Sequence, residues 1–174
     1  MNNTIFYLII IFPVAGYLIE RYLEHLNFKM WSDKLPDRLK GICPDEDYRK
    51  SQLYDKDNKR LSLWSSTFNI AIILAMILLG GFAFVDDIAR SISQNMVIVA
   101  LVFFGIIGLA SDLINIPFSW YDNFVIEKKY GFNTMTTRTF ITDHIKSWFL
   151  ALIVGIPVLG LITWFYYKTG TLFW

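Results

Sequence analysis

The sequence is poor in the side chains on which metal-dependent hydrolysis and thiol chemistry rely. It has one cysteine, Cys43, and two histidines, His25 and His144, in 174 residues. A single cysteine excludes an intramolecular disulfide and a cysteine-based zinc cluster. An HExxH zinc hydrolase needs two histidines four residues apart on a helix, but Lys29 follows His25 at that spacing and Trp148 follows His144. The HExxH motif is therefore absent from this chain.

Charge is also scarce. Charged residues make up 18% of the chain and the net charge is +1, whereas a soluble domain usually carries about 25% charged residues. This balance offers no concentrated basic face for nucleic acid. The chain has no glycine-rich phosphate loop, because the pair Gly80-Gly81 lies inside an apolar run, where small residues permit close helix packing. Hydrophobic residues make up 55% of the sequence, so we expect a membrane protein.

Four apolar runs are long enough to cross about 30 Å of hydrocarbon as helices. We therefore predict an all-α polytopic membrane protein, a single membrane domain over residues 1–174 with spans at about 4–23, 63–85, 96–116 and 145–167. The apolar start, Ile5 to Ile19, has no basic residue before it and no small-residue cleavage site after it. It is interpreted as a retained anchor and not as a signal peptide.

Basic residues are distributed unevenly between the two sides of these spans. Loop one, between spans one and two, and loop three, between spans three and four, together carry 14 of the 16 Lys and Arg residues. The other two are Arg90 and Lys168. The positive-inside rule places loops one and three in the cytoplasm and the N-terminus outside.

Both cytoplasmic loops are predicted to contain short helices. In loop one, Pro36 is suited to begin a helix and Gly41 to end it. A second helix begins near Asp45, with an interruption expected near Asp57-Asn58. In loop three, Lys128 and Lys129 are expected in the last turn of a helix, which is followed by Gly131 in the left-handed conformation. Oxygens able to cap the next helix belong to Asn133, Thr134 and Thr136.

Apart from Glu20, which lies beside Arg21 near the end of the first span, Asp112 is the only acidic residue inside a predicted span. An ionisable residue at this depth is costly and often functional. Three interpretations are open: the carboxylate reaches the interface or pairs with a base such as Arg138 or Lys146, it lies in a polar cavity, or it belongs to a proton relay. His144 is expected to be a packed or surface histidine, and Glu127 to form local ion pairs.

Two segments, KSQLYDKDNKRLSLWSS and NIPFSWYDNFVIEKKYGFNTMTTRTFITDHIK, resemble the N-terminal membrane region of the type 1 CAAX prenyl endopeptidases. The similarity extends from about Leu35 to Lys146. The second segment carries the more specific match, which includes residues 124–127 and 131–133.

The resemblance implies an integral-membrane HExxH zinc metalloprotease with seven spans around a water-filled intramembrane chamber. Such enzymes remove the C-terminal tripeptide that follows a prenylated cysteine. Their zinc ligands lie C-terminal to the region that matches here, so no catalytic or metal residue is assigned in this chain. We expect a fragment of a longer enzyme, or a separate half-protein, without peptidase activity of its own. Zinc is expected only in the complete enzyme.

The predicted function is that of the N-terminal domain of such a protease, forming part of the chamber wall and a docking surface for the zinc protease domain of the same polypeptide. Its partners would be the lipid bilayer, that protease domain, and a peptide or membrane-protein substrate; nucleic acid is not expected. The candidate docking or chamber residues are Asp112, Trp120, Tyr121, Phe124, Glu127, Gly131, Phe132 and Asn133.

Two other functions stay open at this point. The first is a non-enzymatic scaffold or chaperone with four spans, and the second is a small transporter or channel subunit that uses Asp112. Because related bacterial proteins exist, the bacterial inner membrane is favoured over the endoplasmic reticulum. Whether the substrate is prenylated is not decided by these residues.

Overall fold

The computed structural model describes residues 3–29, 31–32, 35, 41 and 44–169, and these residues contain helices and no strand. The helices are α1 (Asn3–Lys29), α2 (Asp45–Leu78), α3 (Gly81–Ile92), α4 (Met96–Tyr121), a π-helix (Asp122–Glu127), α5 (Lys128–Tyr130) and α6 (Thr137–Thr169). The α4, π and α5 segments follow one another without a break, so one helical rod runs over Met96–Tyr130. The predicted all-α membrane fold is confirmed.

Four helices in the described ranges are long and apolar enough to cross a membrane: α1, α2, the Met96–Tyr130 rod and α6. Their large apolar side chains are mostly exposed, as at Phe12, Phe104 and Ile153. A water-soluble protein of this size would bury most of these side chains. Exposed apolar stripes on helices with internally satisfied backbones are what a bilayer requires.

All four of these helices are longer than the hydrocarbon core is thick, and α2 and the Met96–Tyr130 rod are the two longest. Helix α2 has 34 residues and the Met96–Tyr130 rod has 35, so each is about 50 Å long at about 1.5 Å per residue. The hydrocarbon core is only about 30 Å thick. The excess consists of the charged beginning of α2, before Leu63, and the end of the rod, after Ile116. Both ends therefore project beyond the hydrocarbon.

The second predicted span ends earlier than expected. Helix α2 stops at Leu78 and not near Val85, because Gly80 adopts a left-handed conformation with φ +74°. Gly80 is thus a helix-breaking residue and not, as predicted, a small residue inside a continuous helix. The following residues belong to α3, which buries Val85 and Ala89.

Loop one also departs from its prediction. Helix α2 is continuous through Asp57-Asn58, so the predicted interruption there is wrong. A helix tolerates both residues because each contributes only a small propensity cost. The predicted short helix from Pro36 lies outside the described residues, although Gly41 itself has a positive φ of +86°.

The chain divides into two compact units. The first unit comprises Met1–Leu78 and Phe118–Asn133, and the second comprises Leu79–Pro117 and Thr134–Trp174. In the first unit, α1 packs against α2, where the hydroxyls of Tyr17 and Thr67 are hydrogen-bonded at 2.7 Å. The described residues of the second unit have four buried apolar side chains: Val85, Ala89, Val99 and Phe140.

Candidate functional site

The end of the Met96–Tyr130 rod is wound as a π-helix over Asp122–Glu127. The Asn123 side chain donates a hydrogen bond to the Ser119 carbonyl at 2.8 Å, and the Asn133 side chain donates to the Asn123 carbonyl at 2.5 Å. These amide side chains satisfy carbonyls beside the wider turn. π-Helical turns are rare and are found frequently at functional sites, which makes this segment a candidate.

The rod then ends in a Schellman turn at Gly131. The Phe132 N–H donates to the Glu127 carbonyl at 2.9 Å and the Gly131 N–H donates to the Lys128 carbonyl at 3.2 Å. Gly131 has a φ of +81°, a conformation that side chains with a Cβ rarely adopt. The predicted left-handed glycine and the two lysines in the last turn are both confirmed.

A set of polar side chains holds this segment on α2, and we call it the loop-three network: Tyr54, Asp57, Glu127, Lys129 and Tyr130. The Tyr54 hydroxyl donates a hydrogen bond to the Glu127 carboxylate. The Asp57 carboxylate accepts one bond from the Lys129 ammonium at 2.7 Å and another from the Tyr130 hydroxyl at 2.8 Å. Thus two residues of α2 each contact the last turns of the rod.

Aromatic rings reinforce the loop-three network. The Tyr54 ring makes edge-to-face contacts with Tyr130, at 5.4 Å between centroids, and with Phe132, at 5.0 Å. The Lys50 ammonium lies 5.6 Å from the centroid of the Phe132 ring. Edge-to-face pairs and cation–π contacts each contribute about 0.5–1 kcal/mol. The segment is therefore fixed by several weak contacts in addition to its hydrogen bonds.

The ionisable groups of this network lie before Leu63 or after Ile116, outside the predicted spans. The hydrogen bond from Lys129 lowers the pKa of Asp57, although burial opposes the shift. Burial, followed by the bond to Asp57, raises the pKa of Tyr130. Donation to Glu127 raises the pKa of Tyr54. At neutral pH both phenols are therefore protonated donors and Asp57 is an ionised acceptor.

Three aromatic side chains near the network stay exposed. Trp120 is 45% exposed, Tyr121 47% and Phe132 58%. The Trp120 ring lies 5.5 Å from that of Phe124. This part of the rod thus combines a fixed backbone with accessible rings.

In the second unit, Asp112 has a different environment. Its carboxylate accepts a hydrogen bond from the indole N–H of Trp148 at 2.7 Å. Both side chains line a cavity of about 420 Å³, together with Ser147 and several glycines and aliphatic residues. Lys146, one of the two bases considered for Asp112, pairs with Asp143 at 3.4 Å. Asp112 therefore lies beside a mainly apolar cavity and is bonded to Trp148, a partner that none of the three interpretations included.

No part of the described chain offers a metal site. His144 contacts the Phe140 carbonyl at 3.0 Å through Nδ1 and packs on the Phe140 ring, so its contacts are local. No group of three His, Cys, Asp or Glu side chains converges within the ranges that the structure describes. The residues therefore do not fit a zinc ion, and no hydrolytic step is assigned to them.

Comparison with known proteins identifies the family. A family model described as the CAAX prenyl protease N-terminal region, with five membrane helices, matches residues 24–174. The chain belongs to the CAAX prenyl protease family. CAAX prenyl protease 1 of Saccharomyces cerevisiae is 32% identical over 161 residues, and the mouse homolog is 28% identical over 170 residues. The matches cover 86% and 92% of this chain and 36% of each relative.

The fold comparison gives the same result. The crystal structure of S. mikatae Ste24p matches with a TM-score of 0.87 and 32% sequence identity, covering 95% of this chain and 40% of that one. The chain thus corresponds to the N-terminal membrane domain of the family and spans well under half the length of these relatives. This membership does not favour the scaffold alternative. The relatives named here are eukaryotic, so the predicted preference for a bacterial inner membrane has no support.

The sequence did not reveal which residues of this CAAX prenyl protease domain hold loop three. Tyr54 and Asp57 were not predicted as site residues, nor were Tyr130 and Trp148. The sequence does contain one hint of this contact. Tyr54 and Asp57 are three residues apart and so share one helix face, and Glu127 and Tyr130 have the same spacing. Nothing in either segment alone indicates that the two pairs meet.

Proposed function

We propose that this domain works inside a complete CAAX prenyl protease, as part of the wall of its intramembrane chamber and as a docking surface for the zinc protease domain of the same polypeptide. The substrate of that enzyme would be a peptide or a membrane protein. The observation that carries the proposal is the loop-three network, which fixes residues 127–133 on α2 while neighbouring aromatic rings stay exposed.

The polar side chains of Glu127, Lys129 and Tyr130 are all bonded within the loop-three network. Glu127 accepts from Tyr54, and Lys129 and Tyr130 both bind Asp57. Groups bound in this way are poorly suited to chemistry on a substrate, but they hold the backbone in place. A fixed backbone reduces the conformational entropy that a docked partner must offset.

The exposed rings are the groups that remain for docking. Trp120 and Tyr121 lie near the end of the predicted span, where amphipathic rings are common at the membrane interface. Phe132 lacks a polar group, follows the Gly131 turn and belongs to the part of the chain beyond the hydrocarbon. Exposed aromatic rings on a fixed surface are typical anchors of protein interfaces.

Asp112 is our candidate for the chamber wall. It lines a cavity with Ser147 and Trp148, and a carboxylate at membrane depth is most stable beside water or a hydrogen-bond donor. The Trp148 indole supplies one donor, and an aqueous chamber would supply the rest.

A chimera tests the docking proposal. The matching N-terminal part of yeast CAAX prenyl protease 1 is replaced by this chain, and cleavage of a prenylated peptide is measured in proteoliposomes. We expect an active chimera, in which Phe132→Ala lowers kcat/KM by about tenfold. Loss of one anchoring aromatic at an interface commonly costs 1–3 kcal/mol, and about 1.4 kcal/mol corresponds to a factor of ten.

The matched control is Phe12→Ala, which removes an equally large exposed ring from the middle of the first span, at a position that lines neither cavity. Activity should be retained in this control. If Phe132→Ala and Phe12→Ala behave alike in a well-folded chimera, Phe132 is not a docking anchor. Disulfide trapping between a cysteine at position 132 and the protease domain gives a second readout that does not depend on turnover.

We also propose the orientation that the basic residues predict, with loops one and three in the cytoplasm. In a Cys43→Ser background, Lys128→Cys should react with a membrane-impermeant maleimide only after the membrane is opened. Gln94→Cys, at an exposed position in the loop before α4, should react in intact cells. The reverse pattern would invert the topology.

A further inference from the structure

A second cavity, of about 430 Å³, lies between α1 and α2 in the first unit, and its lining is strongly basic. It contains the side chains of Arg21, His25, Lys56, Lys59 and Arg60, together with the single acid Glu24. None of these residues belongs to the loop-three network or to the Asp112 cavity. The cavity therefore calls for a separate explanation.

The position of this cavity follows from the helix register. Tyr17 and Thr67 are hydrogen-bonded at 2.7 Å, and Arg21 lies one turn beyond Tyr17 on α1. On α2, Leu63 lies one turn before Thr67 and opens the apolar run, and Arg60 comes just before it. The cations therefore lie where α1 leaves the hydrocarbon and α2 enters it, at the level of the lipid headgroups.

Arg21 is the least exposed of these cations. Its side chain is only 14% exposed, and its terminal nitrogens contact Glu20 at 3.4 Å and Glu24 at 2.7 Å. Its buried Nε has no hydrogen-bond partner in the described part of the chain. A buried donor without an acceptor is unfavourable, so the Arg21 guanidinium keeps hydrogen-bonding capacity that Glu20 and Glu24 do not use.

Lys56 and Arg60 form the exposed rim. Lys59 is paired with Asp55 at 2.6 Å, but neither Lys56 nor Arg60 makes an ion pair with any carboxylate that the structure describes. The Lys56 ammonium instead lies 5.1 Å from the ring centroid of Trp31. These two charges are available to a ligand.

We propose that this cavity binds the phosphate headgroup of an anionic membrane phospholipid. The phosphate interacts with Arg21, Lys56 and Arg60, since guanidinium and ammonium groups form strong charge-assisted bonds to phosphate. The two apolar lining residues, Phe28 and Leu63, contact the glycerol and the first acyl carbons. Basic pockets between membrane helices on the cytoplasmic side are suited to such headgroups.

Binding to the full chain in detergent micelles tests this assignment. Phosphatidylglycerol is titrated against phosphatidylcholine with the same acyl chains, and bound lipid is counted by native mass spectrometry. We expect one tightly held phosphatidylglycerol and no comparable phosphatidylcholine. The double variant Lys56→Gln/Arg60→Gln should bind phosphatidylglycerol at least about tenfold more weakly, because each basic residue near an anionic lipid contributes several-fold to affinity.

The matched control is Arg49→Gln/Lys128→Gln, which removes two exposed cations of the same unit that do not line the cavity. It should retain the binding of the unmodified chain. An equal loss in both double variants would show that the lipid responds only to overall charge and would overturn the site. Inorganic phosphate separates the two sources of the anion: if it competes at micromolar concentration, the cavity is a general phosphate site and not a lipid site.

A measurement without substitutions completes the test. Amine acetylation is followed by mass spectrometry at Lys56, Lys59 and Lys128 with and without phosphatidylglycerol. We expect protection of Lys56 and Lys59 and unchanged labelling of Lys128. Equal protection at all three positions, or protection at none, would contradict the proposal.

Discussion

The two units of this domain stabilise their helices in contrasting ways. In the first unit, two side chains of α2 bind three residues at the end of the Met96–Tyr130 rod through hydrogen bonds, an ion pair and ring contacts. In the second unit, the Trp148 indole of α6 donates a hydrogen bond to the Asp112 carboxylate of α4. The loop-three contacts lie outside the predicted spans, whereas the bond between Asp112 and Trp148 begins inside the predicted third span.

The difference has a physical origin. Outside the bilayer, burial of apolar surface and well-placed polar contacts can both hold a segment in position. Within lipid there is no hydrophobic force between helices, and measured hydrogen bonds contribute only about 0.6 kcal/mol on average. We therefore expect substitutions in the loop-three network to be costly and substitutions at the Asp112 pair to be mild.

The largest loss of stability is expected when Asp57 is substituted. Asp57→Ala removes the acceptor of the Tyr130 hydroxyl, and Tyr130 is only 6% exposed, so a nearly buried donor loses its partner. We predict a loss of about 2 kcal/mol in the free energy of unfolding, measured by thermal unfolding in micelles. Most of the cost is assigned to Tyr130, because Lys129 is largely exposed and a surface ion pair contributes little.

Asp86→Ala is the matched control for Asp57→Ala. It breaks an ion pair of the same 2.7 Å length, to Arg90, on the exposed surface of α3. We expect a loss of at most about 0.5 kcal/mol. Equal losses of stability in the two variants would mean that the hydrogen bond from the Tyr130 hydroxyl to Asp57 does not stabilise the fold.

The second-largest loss of stability is expected when Gly131 is substituted. Because φ is +81° there, Gly131→Val forces a branched side chain into the left-handed region at a cost of about 1–2 kcal/mol. Gly131→Asn should be milder, since asparagine tolerates this conformation. Gly16→Ala, in α1 with open space around the added carbon, is the control. An unchanged unfolding midpoint for Gly131→Val would argue against the turn.

The features of this domain that could be predicted from the sequence are those that depend on residues close together along the chain. The spans follow from hydropathy along one segment, and the turn at Gly131 follows from two lysines and a glycine at the end of a helix. The early end of α2 was missed because Gly80-Gly81 reads equally well as a packing site within a span. The left-handed φ of Gly80 depends on the chain around it.

The contacts of the candidate site were much less predictable. Tyr54 and Glu127 are 73 residues apart, and no local pattern indicates such a pairing. The π-helix at Asp122–Glu127 is six residues long, which is too short to show a hydrophobic periodicity in the sequence. Glu127 was expected to form local ion pairs, whereas the described structure gives it the Tyr54 hydroxyl. Only the assembled fold brings these groups together.

A smaller effect is expected at Tyr54. Tyr54→Phe removes the bond to Glu127 but keeps the ring contacts with Tyr130 and Phe132. We predict a loss of about 1 kcal/mol, about half of that at Asp57, again by thermal unfolding. Tyr48→Phe, on the same helix at a half-buried position, should change stability very little. A larger loss for Tyr48→Phe than for Tyr54→Phe would place the important hydroxyl elsewhere.

The smallest effect is expected in the second unit. Asp112→Asn keeps an oxygen that accepts from the Trp148 indole, so stability should change by less than about 0.5 kcal/mol, whereas Asp112→Leu should lose about 0.6 kcal/mol or slightly more. Unfolding in micelles compares both variants with Asp57→Ala. If Asp112→Leu proved more costly than Asp57→Ala, the contrast between the units would be wrong, and the Asp112 pair would hold α4 to α6 more strongly than hydrogen bonding in lipid allows.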